Sequence, residues 1–552
     1  YRCNLRALIN DPSYRVDMRI AAADPLFAGA SNPAGADGIH RTGDDGLRLS
    51  ANSPAANSGS NSAIAVGLVT DIIGDGRIQN TTVNRGAYET LLHPIYVDNN
   101  ATGNNNGANW NNAYTSLQSA ILEATNGDQI WVASGTYKPI ALPAGYVDIA
   151  NNTSTRDNAF YLAGGVEMYG GFSGTETKLS EKDPLNNVTI LSGDIGTAND
   201  SSDNCYHVLV SANESMNSIL DGFTITKGNA AGDTGWPKIN SYTVYRYGGA
   251  GIYNVAASPS IRNCIFIYNY AESGGGAMRN SDYSKFTISN CNFITNTAAG
   301  GGGIYNDFSS VTVINCVFDR NNTTGSGAAL SNYYSSSSII NSIFSKNVSS
   351  SGSGGGINNS YSSPQIINCT FSANSAQSGG GMASPHSSYP RLVNCILWGN
   401  KSTYYGGPDI TDDRATRLGY NNLQETPTGG STGTIITDPL FVDASNPAGV
   451  DGIFRTADDG LRLFANSPAA NSGSNGYVAD IATDITGATR IQNTTVNRGA
   501  YENLTSVCRA TSVIPTTANT TYTANYKNTD ANGWTNYCTL DGELLLSLNI
   551  GS

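Results

Sequence analysis

The feature that most constrains this 552-residue chain is a unit of about 26 residues that recurs six times between residues 250 and 400. Each copy ends in Asn-Cys-x-Phe-x-x-Asn, with Ser in place of Cys once and Leu in place of Phe once. The pattern starts at Asn263, Asn290, Asn315, Asn341, Asn368 and Asn394, with spacings of 27, 25, 26, 27 and 26 residues. Repeats of this length indicate a solenoid, in which each unit buries its apolar residues only against its neighbours.

Short strands are the regular element that the spacing inside each unit favours. Apolar residues form runs of three to five that often alternate with polar residues, as in 286–288 and 311–313, and this is strand periodicity. No unit holds ten residues of helical spacing, which excludes a solenoid of helix pairs. The chain is only 13% charged, and its 62 glycines against 19 prolines indicate many tight turns. The sequence therefore predicts an all-β fold, a parallel β-helix with about 26 residues per coil.

Stacking of such coils, about 4.8 Å apart, places equivalent residues directly above one another. The phenylalanines of the unit then form one inward column. The cysteines form a second column, Cys264, Cys291, Cys316, Cys369 and Cys395. With no CxxC or Cys/His pairing in the units, we expect these thiols to act as small buried hydrophobes and to remain unbridged. The first asparagines of the six patterns are expected to form a side-chain amide ladder at a turn.

A second repeat is much larger. Residues 24–61 and 438–475 are identical at 32 of 38 positions, and residues 77–89 equal residues 490–502 at all 13. The offset of about 413 residues indicates one entire module preceded by the end of another.

The predicted domain boundaries follow from this offset. Residues 1–89 are expected to be the C-terminal coils of a preceding module and residues 90–502 a complete one. Within it, we expect an N-terminal cap at 90–137, regular coils at 248–400 and terminal coils at 437–502. Residues 503–552 do not resemble residues 90–140, and we expect them to begin a small β-sandwich-like domain.

Several phrases resemble secreted bacterial right-handed β-helix proteins. They comprise the entry segment from Ile95 to Trp110, the short helix-like stretch 116–124, and the segments 128–137, 166–177, 220–226, 467–473 and 498–502. The resemblance covers roughly residues 1–502 and implies right-handed coils, an extracellular location at the cell surface, and a tandem-module adhesin or fibre. Residues 508–547 resemble the start of a β-sandwich in large surface proteins of gliding bacteria that are exported by type nine secretion.

The charge of the chain narrows the choice of partners. A net charge of −13 and a pI near 4.7 disfavour nucleic acid and anionic lipid, which both reward a basic surface. No apolar stretch approaches the roughly 20 residues that span a bilayer. We expect the partners to be other copies or flanking modules in a head-to-tail fibre, together with surface glycans. No cofactor is required for this role.

Enzymatic activity is the main alternative, because β-helices also include polysaccharide lyases and hydrolases. The Gly-His-Gly phrase of polygalacturonase-like hydrolases does not occur in this sequence. Acids such as Asp282 and Asp307 and bases such as Arg279 are scattered through the coils, mostly in expected turns. The sequence therefore predicts no catalytic residues and a structural or adhesive role. A polysaccharide-active enzyme and a non-catalytic glycan-binding module remain alternatives.

Aromatic side chains are the candidate ligand contacts. One group follows the Gly-rich phrase of successive units and should form an edge column, which either shields the turns or offers a platform for sugar rings or a protein. A second group lies in an inserted stretch, residues 229–247, which enlarges one coil by some 17 residues. The candidates are Tyr283, Phe308, Tyr334, Tyr361 and Tyr389 in the column, and Trp236, Tyr242, Tyr245 and Tyr247 in the insertion.

Two further predictions concern the duplicated loops and the C-terminal segment. Carboxylates separated by glycines suit calcium, which takes six to eight oxygens, although Asp side chains also cap their own turns. The candidate calcium ligands are Asp37, Asp44 and Asp45 in the first loop, and Asp451, Asp458 and Asp459 in the second. Cys508 and Cys538, the two cysteines of the final segment, are the expected disulfide pair.

Overall fold

A computed structural model describes residues 94–148, 152–213, 218–232, 236–405, 407–412, 417–427 and 431–502, together with parts of the chain before and after them. Four stacks of short parallel strands dominate this part of the chain. Each regular coil passes through sheets A, B, C and D in turn, and each strand pairs with its counterpart one coil away. The result is a parallel β-helix.

The first strand of each coil belongs to the 12-stranded sheet A. Its strands are Ile95–Val97, Gln129–Ala133, Glu167–Phe172, Ile219–Asp221, Ser260–Arg262, Thr287–Ser289, Thr312–Ile314, Ser338–Ile340, Gln365–Ile367, Arg391–Val393, Arg417–Gly419 and Ser431–Thr432. In the regular coils, sheet B follows after two residues. Its strands are Gly135–Tyr137, Thr189–Ser192, Phe223–Thr226, Ile265–Ile267, Asn292–Ile294, Val317–Asp319, Ile343–Ser345, Thr370–Ser372, Ile396–Trp398 and Asn422–Leu423.

The remaining two sides of the coil are shorter stacks. Sheet C holds Asn229–Ala230, Tyr270–Ala271, Thr297–Ala298, Asn322–Thr323, Val348–Ser349, Ser375–Ser378 and Lys401–Tyr405. Sheet D holds Phe160–Tyr161, Leu209–Ala212, Ile252–Val255, Met278–Ser281, Ile304–Asp307, Leu330–Tyr333, Ile357–Ser360, Met382–Ser384 and Ile410–Asp412.

Helical structure in the described residues is confined to short pieces. The α-helix Leu117–Glu123 follows the first strand of sheet A and buries Leu117 and Ile121 in the core cluster. The 3₁₀ helices are Asn61–Ala63, Trp110–Asn112, Thr155–Asp157, Leu179–Glu181, Ser201–Asp203 and Asn475–Tyr477. No helix in the described part of the chain is long and apolar enough to cross a membrane.

The core consists of in-register columns. Phe266, Phe293, Phe318, Phe344 and Phe371 are fully buried, and successive rings stack with centroids 4.5–4.9 Å apart. The structure places the five predicted cysteines in the adjacent column, each fully buried with a free thiol. Their thiols point at backbone carbonyls two residues back and in the preceding coil. Such contacts satisfy the weak S–H donor without a metal or a disulfide.

The amide ladders lie at other asparagines than the sequence predicts. One joins the last residue of the Asn-Cys-x-Phe-x-x-Asn pattern from coil to coil, as in Asn296–Asn321 and Asn321–Asn347. A second joins the sheet D asparagines, as in Asn254–Asn280. The first asparagine of the pattern instead turns the chain between sheets A and B with positive φ, 49–55° in all six copies. Asparagine tolerates this conformation better than other non-glycine residues.

Residues 438–502, which we call the C-terminal strap, differ from the prediction. They were expected to add terminal coils, but they lie along the outer face of sheet B. Phe441, Leu461 and Ile485 of the strap pack in one cluster with Val317, Ile343 and Ile396 of the sheet. The described strap has one two-residue strand, Leu463–Phe464, which pairs with Leu504–Thr505. Further along, Tyr526–Thr529, Trp534–Cys538 and Leu544–Asn549 form an antiparallel sheet, and the sandwich domain stays a prediction.

Candidate functional site

The insertion between sheets C and D builds one wall of a groove on the outside of the solenoid. Its strand Lys238–Ile239 pairs on one side with Tyr242–Thr243 and on the other with Tyr146–Val147 from the cap region. Arg246 anchors the insertion from beneath and is almost completely buried. Its guanidinium meets both carboxylate oxygens of Asp157 at 2.7 and 2.8 Å. This bidentate pair holds the wall in one position.

The groove has a volume of about 450 Å³ and opens between the insertion and the outer face of sheet D. Tyr242 and Tyr245 come from the insertion, Tyr253, Arg279 and Asp307 from sheet D, and Asp282 and Phe308 from the turns that follow the sheet. The remaining lining residues are Ser241, Thr243 and Ser281. Three predicted ligand contacts, Tyr242, Tyr245 and Phe308, are thus brought together.

An ion pair forms the floor of the groove. Arg279 Nη2 lies 2.7 Å from Asp307 Oδ2, and the Arg279 side chain is 10% exposed against 24% for Asp307. The guanidinium also lies 5.2–5.8 Å from the ring centroids of Tyr245, Tyr253 and Tyr305. Arg279 Nε is buried with no hydrogen-bond partner among the described residues. The floor therefore combines a paired cation with aromatic surface.

Burial dominates the ionisation of Asp307. It raises the pKa of this carboxyl above the ordinary value, although Arg279 acts in the opposite direction, and the nearby Asp282 raises it further. His207, beside Tyr253, is itself buried, and this burial lowers the pKa of its imidazole to about 4. The imidazole is therefore neutral at physiological pH. Its Nδ1 lies 3.0 Å from the Gly249 carbonyl oxygen, which indicates a structural role.

Arg279 and Asp307 were counted among acids and bases scattered through the coils, mostly in turns, but the structure brings these two together. They lie within neighbouring strands of sheet D, where Arg279 pairs with Tyr305, two residues before Asp307. Residues two apart in a strand face the same side. The sequence signal for such a pair is therefore a basic and an acidic residue that are separated by one coil plus two residues.

The aromatic edge column is present, with one change of membership. Phe308, Tyr334 and Tyr361 stack with centroids 4.9 and 4.6 Å apart and nearly parallel planes. The next ring is His386, 5.3 Å from Tyr361, in place of the predicted Tyr389. Stacked faces cover one another, so the column presents mainly ring edges.

The other predicted contacts do not line the groove. Tyr283 is 81% exposed and tilted against Phe308 at 6.4 Å. Tyr247 stacks on Tyr245 at 5.1 Å. Trp236 and Tyr389 are exposed.

The carboxylates of the second acidic loop cap their own turns, the alternative to calcium binding. Asp458 accepts hydrogen bonds from the backbone N–H groups of Val450 and Asp451 and from the Thr456 hydroxyl. Asp459 is buried and accepts from the Tyr501 hydroxyl at 2.6 Å. Among the described residues, no group of three or more His, Cys, Asp or Glu side chains could hold a metal ion. Asp37, Asp44, Asp45 and Cys508 lie outside the described residues.

Comparison with known proteins agrees with this fold. Residues 229–395 match a family model described as right handed beta helix region. Together with the stacked parallel sheets, this confirms the predicted right-handed parallel β-helix. No curated protein matches the sequence significantly.

Three solved structures are similar at low identity. A pectate lyase, Pel9A, is 14% identical with a TM-score of 0.42, covering 74% of this chain and 97% of its own. A rhamnogalacturonan lyase is 12% identical with a TM-score of 0.32, covering 62% and 85%. The tailspike protein gp49 from Acinetobacter baumannii bacteriophage Fri1, a capsular polysaccharide depolymerase, is 13% identical with a TM-score of 0.29, covering 63% of each chain. Similarity at this level carries no argument about activity.

Proposed function

We propose that this chain is a structural segment of an extracellular surface protein, and that it adheres to neutral glycans through the sheet D groove. The observation that carries the proposal is the convergence of Tyr242, Tyr245 and Phe308 on a groove whose floor holds Arg279. Aromatic rings offer apolar faces to sugar rings, and the carboxylates of Asp282 and Asp307 in the lining can accept hydrogen bonds from sugar hydroxyls. A volume of about 450 Å³ is in the range of small-ligand sites.

The charges in the groove select neutral sugars over acidic ones. One cation, Arg279, faces two carboxylates, Asp282 and Asp307, and the cation is already paired. A uronic acid would add a negative charge to a site with a net charge of −1, in a chain of net charge −13. Like charges repel most strongly where water is excluded.

The rigid solenoid supports the structural part of the proposal. Every regular coil is bonded to the next through backbone ladders on all four sides, and two amide ladders run beneath them. Such a solenoid is a stiff spacer, whose stability comes from the stacking of neighbouring coils.

Calorimetric titration of the full chain with neutral and uronic-acid oligosaccharides tests the adhesive role. We expect binding of a neutral glycan, weakened at least tenfold by Tyr245→Ala and by Arg279→Ala. Tyr361→Ala is the matched control, because this ring belongs to the edge column and not to the groove, and it should bind as the unmodified chain does. Absence of binding to neutral glycans, or equal loss in the control, would reject the proposal.

Hydrolysis is the second candidate, favoured by the two carboxylates in the groove. A raised pKa is what a proton donor to a glycosidic oxygen needs, and a second carboxylate can activate water. Asp307 would act as the acid and Asp282 as the base. Release of reducing ends from the bound glycan, abolished by Asp307→Asn, would establish this alternative in place of binding alone.

A further inference from the structure

The second copy of the strap sequence lies near the start of the chain, and its described residues have the same internal structure. We call residues 24–89 the N-terminal strap. Gly59 N–H donates to Val83 O at 2.8 Å, as Gly473 N–H does to Val496 O at 2.9 Å. Arg77 binds the carbonyls of Ala87 and Gly86.

In the C-terminal strap, Arg490 binds the matching carbonyls of Ala500 and Gly499. The bridge between Phe27 and Leu49 likewise matches the one between Phe441 and Leu463. The described residues of the two straps therefore share the same local contacts.

The straps differ in what covers their apolar face. Phe441, Leu461 and Ile485 of the C-terminal strap are 7%, 1% and 2% exposed against sheet B. Their counterparts Phe27, Leu47 and Ile72 in the N-terminal strap are 39%, 38% and 42% exposed. The same sequence thus presents the same apolar face with no sheet of the described residues beneath it.

The two straps also differ in the hydrogen bonds of a matched arginine. Arg498 of the C-terminal strap donates from Nη1 to the Asn421 carbonyl oxygen of the solenoid. The matching Nη1 of Arg85 is buried without a hydrogen-bond partner among the described residues. A buried donor without an acceptor is costly. The unused donor points to a missing backbone carbonyl.

A matched pair of glycines, Gly499 and Gly86, also differs in its contact with sheet B. A Cβ at Gly499 would lie 2.7 Å from Thr370 Oγ1 and 2.8 Å from Ile396 Cδ1 of sheet B, whereas a Cβ at Gly86 would meet no described atom within 4 Å. Only a residue without a side chain allows so close an approach of the strap backbone to a sheet. In the N-terminal strap, the glycine keeps this space open.

We propose that the N-terminal strap docks on the outer face of sheet B of a second β-helix of this repeat. The partner must offer what this chain offers to its own C-terminal strap: an aliphatic column like Val317, Ile343 and Ile396, and a backbone carbonyl that can accept from the guanidinium as that of Asn421 does. This inference rests on the spacer role proposed above and would join successive spacers into one stiff body. It does not involve the glycan groove on sheet D, so either can fail alone.

An extended polypeptide that carries residues 90–437 ahead of residues 24–552 tests the docking, because it supplies a sheet B whose only strap is the N-terminal one. We expect backbone amides between residues 53 and 88 to exchange with solvent at least tenfold more slowly than in the 552-residue chain. Ile343→Asp with Ile396→Asp in the added coils should restore the fast exchange. Equal rates in the two chains, with the added coils folded, would overturn the proposal.

A second variant decides the question if the added coils do not fold. In the 552-residue chain, Ile485→Asp should loosen the C-terminal strap and free sheet B. A photoreactive benzoylphenylalanine at position 72 should then crosslink to the strands Val317–Asp319 and Ile343–Ser345, and not do so while Ile485 is present. Photocrosslinks that avoid sheet B after the C-terminal strap has been released would also overturn the proposal.

Discussion

The regular coils between Ile252 and Trp398 and the C-terminal strap are stabilised in opposite ways. In the coils, one residue type repeats in each column, so every phenylalanine or asparagine contacts copies of itself. In the strap, single contacts hold the chain. The Nε atom of the buried Arg490 lies 3.3 Å from Glu502 Oε1, and the Tyr501 hydroxyl donates a hydrogen bond to Asp459. Repetition spreads stability evenly along the coils, whereas the strap depends on a few irreplaceable groups.

Removal of one ring from the core column should have the largest effect. Phe318 stacks between Phe293 and Phe344 at 4.7 and 4.9 Å, and Phe318→Ala leaves a cavity that the rigid coils cannot close. We expect a loss of about 3–5 kcal/mol in the free energy of unfolding, measured by denaturant titration. Phe308→Ala, in the half-exposed edge column, is the control and should cost less than about 1 kcal/mol. Equal losses would show that the column gives no special stability.

Loss of the buried guanidinium should destabilise the C-terminal strap more than the matching change destabilises the N-terminal strap. Arg490→Met leaves Glu502 and the carbonyls of Gly499 and Ala500 without their partner, which should cost about 3 kcal/mol. Arg77→Met changes the same residue in the N-terminal strap, where these carbonyl bonds are exposed, and should cost less than about 1 kcal/mol. Hydrogen exchange should locate the Arg490→Met loss in residues 438–502. A loss spread over the coils would contradict the distinction.

Acidification should strengthen the strap. Burial raises the pKa of Asp459 to about 6 and that of Glu502 to about 7, above the values near 4 of an unfolded chain. The folded state then binds more protons, so the free energy of unfolding falls as pH rises from about 4 through 7. Between pH 8 and 6.5 we expect the strap to gain about 1 kcal/mol.

Two variants isolate the contribution of the strap to this pH dependence. Glu502→Gln should remove most of the gain in thermal unfolding followed at both pH values. Asp409, in the last coils, also has its pKa raised to about 7 by burial, and Asp409→Asn measures its separate share. An unchanged pH dependence in Glu502→Gln would contradict this assignment.

Calcium should have the smallest effect. Because Asp451, Asp458 and Asp459 already accept hydrogen bonds from the N–H groups of their own turn, we expect millimolar calcium to leave the melting temperature of EDTA-treated protein unchanged. A clear rise would restore the calcium site as predicted from the sequence.

Periodicity explains what could be predicted from the sequence. The 26-residue period predicts the coils, and the residues of the phenylalanine and cysteine columns follow because each coil has the same register. Period alone does not distinguish Asn315 from Asn321, since both recur at the same spacing. Only the backbone shows that Asn315 takes φ of 54° at a turn while Asn321 points inward to the ladder.

The irregular parts could not be predicted in this way. The duplication identified the strap as a unit, but its apolar residues have no period that reveals the face they cover. The groove likewise depends on an insertion that occurs once, and on an Arg279–Asp307 pair that two coils build jointly. Because nothing repeats at such a site, the sequence does not reveal that these residues are in contact.

Native mass spectrometry of the full chain with the neutral oligosaccharide that binds best tests the central claim most directly, because it detects both association and cleavage. The account predicts one intact glycan per chain, lost in Tyr245→Ala and retained in Tyr361→Ala, with the mass of the sugar unchanged over time. A glycan retained by Tyr245→Ala, or shortened by the unmodified chain, would contradict the account.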